Sequence, residues 1–261
     1  MQAVTLVVAH RGSSGTHAEH TLTAYETAIT EGADALECDV RLTRDGVLVC
    51  VHDRRVDRTS DGRGSVSALE LAELDALDFA SWKAKEGDPL LEARWEAYDR
   101  DQGKVLTLER LVQLSLECGR RVELHVETKH PTRYGGLVER ALVDLLSRYP
   151  EATSLVTVMS FAPTSLRRIH QLAPTVPTVL LMSRVPLRYR DGSLPLRITI
   201  AAPSIEVLHA FPAYVERAHA QGNRVHCWTV NTRADIDYVL DLGVDAVISN
   251  HPRRVLSALG R

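Results

Sequence analysis

The run Ala35-Leu36-Glu37-Cys38-Asp39-Val40-Arg41-Leu42, followed by Thr43-Arg44-Asp45-Gly46 and then Val47-Leu48-Val49-Cys50-Val51-His52, decides the fold. Apolar and polar residues alternate on both sides of Asp45-Gly46, and Asp-Gly between two such runs is a strong signal for a two-residue hairpin. A strand over Ala35–Leu42 is therefore expected to turn back through Leu48–His52. With that turn Arg44 faces Val47, and pairing backwards sets Asp39 opposite His52. Residues two apart share one face of a strand. Glu37 and Asp39 thus point the same way, and His52 is expected to join them across the ladder.

Working outward from the hairpin, short β-rich runs alternate with longer segments of helical period. Expected strands lie at Val4–Ala9, Ala35–Leu42, Arg121–Glu127, Leu155–Ser160, Thr178–Met182, Arg197–Ala201, Arg224–Val230 and Val244–Ser249. Helical patterns fall at Leu22–Thr30, Leu137–Ser147, Pro163–Leu172, Ile205–Ala220, Ala234–Asp241 and Pro252–Leu259. Such alternation predicts a closed parallel (β/α)₈ TIM barrel rather than an open sheet. A chain of 261 residues suits one such domain, spanning 1–261. Ser67-Ala68-Leu69-Glu70 reads as a capping box opening a helix towards Leu77, and Gly119, Gly222 and Gly243 sit where helices end. The helix expected around Pro186–Pro195 is poorly signalled.

One connection is too long for the repeat. Residues 53–104 carry the Ser67–Leu77 helical pattern, Trp82, Trp95 and the polar stretch Lys83–Pro89. Insertions of this length usually serve binding. This one leaves the chain where catalytic loops leave a barrel, so it is expected over the active-site face.

A composition of 44% hydrophobic and 25% charged residues supplies a real core, and a net charge of -3 argues against general attraction to nucleic acid or anionic membrane. The four cysteines, Cys38, Cys50, Cys118 and Cys227, form no CxxC pair and read as thiols of a reducing compartment. No run approaches the length of a membrane span. The N-terminal stretch has no basic region and leads directly into His10-Arg11-Gly12, so a cytoplasmic location is expected.

Chemistry-bearing residues gather on one rim. His10 ends the first strand and Glu127 the third, with Lys129 beyond it on the same side, and active sites of barrels lie at the C-terminal ends of strands. Carboxylates so close repel unless a cation joins them. The oxygen-rich set Glu37, Asp39 and Glu127 suits one hard divalent metal ion, Mg²⁺ or Ca²⁺. His10 and His52 stay free for proton transfer, while Arg11 and Lys129 suit an anionic, phosphate-bearing small molecule. Singly each piece reads as ordinary: Glu-x-Asp as a polar strand edge, His10-Arg11-Gly12 as a turn. Their convergence on neighbouring strands is what points to a site. The remaining histidines, among them His125 and His226, read as surface or structural.

His10-Arg11-Gly12, Glu19-His20-Thr21, Glu37-Cys38-Asp39-Val40, Asp45-Gly46, His52-Asp53, Glu127-Thr128-Lys129 and Cys227-Trp228-Thr229-Val230-Asn231 together resemble the glycerophosphodiester phosphodiesterase family, in order and spacing, from about residue 4 to residue 255. The resemblance implies hydrolysis of glycerophosphodiesters to sn-glycerol 3-phosphate and an alcohol. It implies His10 and His52 as the acid/base pair, Glu37, Asp39 and Glu127 as metal ligands, and Arg11, Lys129, Trp228, Glu19 and His20 around the substrate. A related barrel phospholipase, of the sphingomyelinase D or phosphatidylinositol-cleaving type, and a non-catalytic binding barrel are the alternatives. Two departures stand out. Ala18-Glu19-His20-Thr21 replaces the usual Pro-Glu-Asn-Thr, and Ser249-Asn250 replaces the usual Thr-Asp.

Overall fold

The computed structural model describes residues 5–83, 103–130 and 135–261. Eight parallel strands close into a barrel. They are β1 (Leu6–His10), β2 (Ala35–Leu42), β4 (Glu123–Thr128), β5 (Val156–Ser160), β6 (Thr178–Met182), β7 (Ile200–Pro203), β8 (Arg224–Cys227) and β9 (Ala246–Ser249). Closure is direct: β1 pairs with β9 on one side and with β2 on the other. The short β3 (Leu48–Cys50) runs antiparallel on β2. The barrel expectation holds.

Helices cover the outside, each for a local reason. α1 (Leu22–Glu31) starts at Thr21, whose hydroxyl accepts from the Ala24 N–H, and ends at Gly32 in the left-handed region. Leu108, Leu111, Val112 and Leu114 bury one face of the helix Leu108–Glu117, the spacing of an amphipathic helix laid on a core. The main core fills the layer between strands and helices. A smaller cluster including Val8, Ala35, Met159, Val179, Ile200 and Ala246 plugs the barrel interior, so the barrel is packed beneath its mouth.

Four expectations are corrected. The segment Ile205–Ala220 is two helices, Ile205–Ala210 and Tyr214–Ala220, because Pro212 interrupts the run. The capping box lies at Glu70 and Glu73, not at Ser67 and Glu70, and the helix it opens is only Leu71–Asp75. Strand β7 starts at Ile200 rather than Arg197, since Leu196 turns in the left-handed region at φ 59°.

The hairpin register, the fourth, is one residue off. Val40 pairs with Cys50, Arg41 with Val49 and Leu42 with Leu48. Thr43 faces Val47 across a three-residue loop, Arg44-Asp45-Gly46, with Gly46 at φ 87°. Asp-Gly serves this loop as well as a two-residue one, because the left-handed glycine forms the bulge that closes it. Asp39 is therefore not opposite His52 in a ladder; its carbonyl accepts from the Val51 N–H at 3.0 Å.

From residue 53 the chain builds a satellite core on the hairpin, with Val56, Val66, Leu74, Phe79 and Val105 against Val49 and Val51. The rest of the expected insertion, residues 84–102 with Trp95, lies outside the described residues.

Candidate active site

The strand register assembles the acidic centre. His10 is level with Glu37 across β1 and β2, and Asp39 is level with Glu127 across β2 and β4. Ligand atoms of Glu37, Asp39 and Glu127 lie within 4.8 Å of one another, all three side chains buried. Just past β1, Arg11 and Gly12 take left-handed φ values of 58° and 79°. Gly12 is required there, since a Cβ would come within 2.6 Å of the Ala24 backbone. This turn aims the Arg11 N–H at Glu37 Oε2, 3.1 Å away.

Cations surround Asp39. Arg11 Nε lies 3.0 Å from Oδ2, and Lys129 Nζ lies 2.8 Å from both Asp39 Oδ1 and Glu127 Oε1. Burial works to raise the Asp39 carboxyl, but Lys129, the His20 hydrogen bond and Arg11 hold it well below the usual carboxylate range. Burial and the Asp39 charge lift Glu127 to about 8 and push Glu37 well above its ordinary value. The amino acids alone therefore do not supply enough positive charge to ionise all three carboxyls. Asp39 Oδ1 is also buried without a hydrogen bond of good geometry among the described residues. Both observations fit a divalent ion held by Glu37, Asp39 and Glu127.

Two histidines flank this centre. His10 Nδ1 is 2.6 Å from Asn250 Oδ1, and its Nε2 faces the pocket, 3.9 Å from Glu37 Oε2. Burial, helped by Arg11, lowers the His10 pKa to about 3. An amide oxygen only accepts, so Nδ1 carries the proton and Nε2 is the bare nitrogen. His52 reaches the same pocket by another route: its carbonyl accepts from Arg41 Nε at 2.9 Å and Nη2 at 2.7 Å. Its Nδ1 meets Asp53 Oδ1 at 2.7 Å, and Arg58 Nε donates to Asp53 Oδ2 at 2.7 Å.

The pocket holds about 280 Å³ and has two halves. His10, Arg11, Glu37, His52, Glu127 and Lys129 line the polar one. Met159, Phe161, Leu181, Trp228 and Ile248 line the apolar one. Trp228 is fixed by donating its indole N–H to the Ala202 carbonyl at 2.7 Å, with Phe161 edge-on at 5.4 Å. Glu19 and His20 stand outside this lining. Glu19 accepts from Arg11 and from both terminal nitrogens of Arg58, and His20 lies behind Asp39.

Sequence reading missed Asn250, Arg41, Arg58, Tyr25 and Phe161. Asn250 had been singled out only as a departure from a motif. Arg58 and Phe161 act across long sequence separations, and nothing in the spacing of Tyr25 or Arg41 announces its partner.

A model of the glycerophosphoryl diester phosphodiesterase family matches residues 10–254. The chain is 46% identical over 258 residues to a probable glycerophosphodiester phosphodiesterase 1 of Mycobacterium tuberculosis, covering 95% of this chain and 90% of the relative. It is 34% identical over 256 residues to a glycerophosphodiester phosphodiesterase of Bacillus subtilis, covering 95% and 84%. Among solved structures, an Oleispira antarctica phosphodiesterase in complex with the product sn-glycerol-3-phosphate superposes with a TM-score of 0.81 at 26% identity, covering 99% of this chain and 98% of that one.

Proposed function

The chain belongs to the glycerophosphoryl diester phosphodiesterase family and hydrolyses glycerophosphodiesters, and we propose that it does so with His10 and His52 as its proton-transfer pair around one divalent ion, Mg²⁺ or Ca²⁺. The observation that carries this reading is the single pocket in which both histidines face Glu37, Glu127 and Lys129.

Glu37, Asp39 and Glu127 would hold the ion, which when bound supplies charge neutralisation at the phosphoryl oxygens. Arg11 and Lys129 contact the phosphate, giving it fixed positive partners. His10, with its proton on Nδ1, takes a proton at Nε2 from the attacking water, whose oxygen stays on phosphorus as the alkoxide leaves. His52, whose pKa burial lowers and whose Asp53 partner works against that fall, delivers a proton to the departing alkoxide. Trp228 lines the apolar wall against which the carbon skeleton of the substrate lies. The product, as in the Oleispira complex, is sn-glycerol 3-phosphate.

We assign residues 1–261 to one domain, with the insertion at the rim of the active-site face. The support is Arg58, which reaches from the insertion to Glu19 beside Arg11. No helix among the described residues is long and apolar enough to cross a membrane.

The test is release of sn-glycerol 3-phosphate from glycerophosphocholine, with and without a chelator, beside intact phospholipid vesicles. Chelator-sensitive hydrolysis of the soluble diester supports the reading. Chelator-resistant turnover, or preference for vesicles, overturns it.

A further inference from the structure

His20 sits where the usual motif has asparagine, and the structure gives its ring two partners. Its Nε2 lies 2.9 Å from Asp39 Oδ2, and its Nδ1 lies 2.8 Å from the Tyr25 hydroxyl. The Tyr25 oxygen in turn lies 3.1 Å from the main-chain carbonyl of Glu37. Histidine spans this gap because its two ring nitrogens lie on opposite edges, and an asparagine amide is too short to meet both partners. The backbone is set for it: His20 has φ 62°, a left-handed conformation that histidine tolerates better than most residues. The His20 N–H donates to the Arg11 carbonyl at 3.1 Å, so the two left-handed residues of this loop hold each other. His20 is 5% exposed and outside the pocket lining.

We propose that His20 is a positioning residue for the metal centre: together with Arg11 Nε, 3.0 Å from the same oxygen, the relay Tyr25–His20–Asp39 commits Asp39 Oδ2 to the protein and leaves Oδ1 for the ion. This rests on the metal-site reading given above. A carboxylate oxygen accepts and cannot donate, so the hydrogen between His20 and Asp39 is on Nε2. The Tyr25 hydroxyl closes the other edge of the ring at Nδ1 and gives its own hydrogen to the Glu37 carbonyl. The ring is held from outside the site, as partners of metal-binding side chains commonly are. Asp39 Oδ1 points the other way, towards Lys129 and Glu127. A carboxylate held to one oxygen suits an ion with few short bonds, Mg²⁺, better than Ca²⁺, which accepts two-oxygen carboxylates and more ligands. The inference therefore assigns this site to Mg²⁺.

Calorimetric titration of the substrate-free protein with Mg²⁺ alone and with Ca²⁺ alone tests this, using wild type, Glu37→Gln, His20→Gly, Tyr25→Phe and the His20→Gly/Tyr25→Phe double variant. Glycine keeps the left-handed backbone while removing the ring, and thermal unfolding checks each fold. The wild type is expected to prefer Mg²⁺. His20→Gly is expected to weaken Mg²⁺ binding about 10-fold or more, with a smaller loss for Ca²⁺. Tyr25→Phe should weaken Mg²⁺ binding less, and the double variant should be no worse than His20→Gly, since both changes break one relay. Unchanged Mg²⁺ affinity in His20→Gly, additive losses, or a wild-type preference for Ca²⁺ would overturn the proposal. If His20→Gly does not fold, Tyr25→Phe decides: an unchanged Mg²⁺/Ca²⁺ ratio there overturns it. No saturable binding by wild type, or binding unaffected by Glu37→Gln, sinks the metal-site reading instead.

Discussion

Arg41 holds His52 by its main-chain oxygen, with Nε at 2.9 Å and Nη2 at 2.7 Å from that carbonyl. The ladder ends at Cys50, so no strand pairing positions the histidine. The guanidinium of a β2 residue takes over that task, two donors fixing both distance and direction.

Arg41→Met is therefore expected to lower kcat about 10- to 100-fold, the scale of losing alignment of a reacting group. Metal affinity should stay near wild type, because Arg41 touches no member of the acidic centre. Steady-state kinetics on glycerophosphocholine beside a metal titration check this. A large loss of metal affinity with kcat intact would contradict it.

The two histidines themselves should behave alike. His10→Ala and His52→Ala are each expected to lower kcat by ~100-fold or more, the usual contribution of a positioned acid or base. Thermal unfolding should change little, since both side chains face the pocket. Near-normal rates in either variant would remove that histidine from the mechanism.

The fold was legible because its signals are local. Alternation, helical period and cap residues repeat along the chain, and the barrel follows from their order. The site was legible as far as strand ends decide it: His10, Glu37, Asp39, Glu127 and Lys129 stand where the register puts them. His52 reaches the pocket, but not through the ladder pairing expected of it. Asp45-Gly46 permits two loop lengths, and tertiary contacts choose between them. Arg44 N–H donates to the Leu69 carbonyl, and Asp45 accepts from the Leu71 N–H, docking the longer loop on the next segment. Similarly, Arg58, which holds Asp53, reaches Glu19 at a separation of 39 residues, which no window of local pattern contains.

Acid stability should report a carboxylate outside the pocket lining. Glu139 is fully buried, with His130 Nε2 at 3.3 Å and Arg168 Nη1 at 3.2 Å. Burial opposes its charge, but His130, its own backbone N–H, Ser165 and Arg168 bring its pKa down from 4.5 to about 2. A depressed carboxylate contributes stability that is complete above the unfolded value and lost as pH falls through the folded one. Here the window runs from 4.5 down to about 2, and the contribution is on the order of 3 kcal/mol. Chemical denaturation of Glu139→Gln across this range should give a flatter pH dependence than wild type. An equally steep acid limb in the variant would assign the loss to other groups.

Lys129 bridges Asp39 and Glu127 at 2.8 Å each, so its ammonium serves as the counter-charge that a divalent ion would otherwise supply. Removing it has opposite consequences for the two forms of the protein. In Lys129→Met without metal, Asp39 keeps Arg11 but loses the cation on Oδ1, and the carboxyls repel more strongly. The melting temperature should fall, by about 2–4 °C for each kcal/mol in a domain of this size. Added Mg²⁺ no longer competes with an ammonium, so it should bind more tightly than in wild type and restore more of the lost stability. Catalysis should still fall, because the phosphate loses one of its two fixed cations. Melting curves with and without Mg²⁺, set beside kcat/KM, separate these effects. If Lys129→Met bound Mg²⁺ more weakly, Lys129 would be organising the carboxylates for the ion rather than standing in for it.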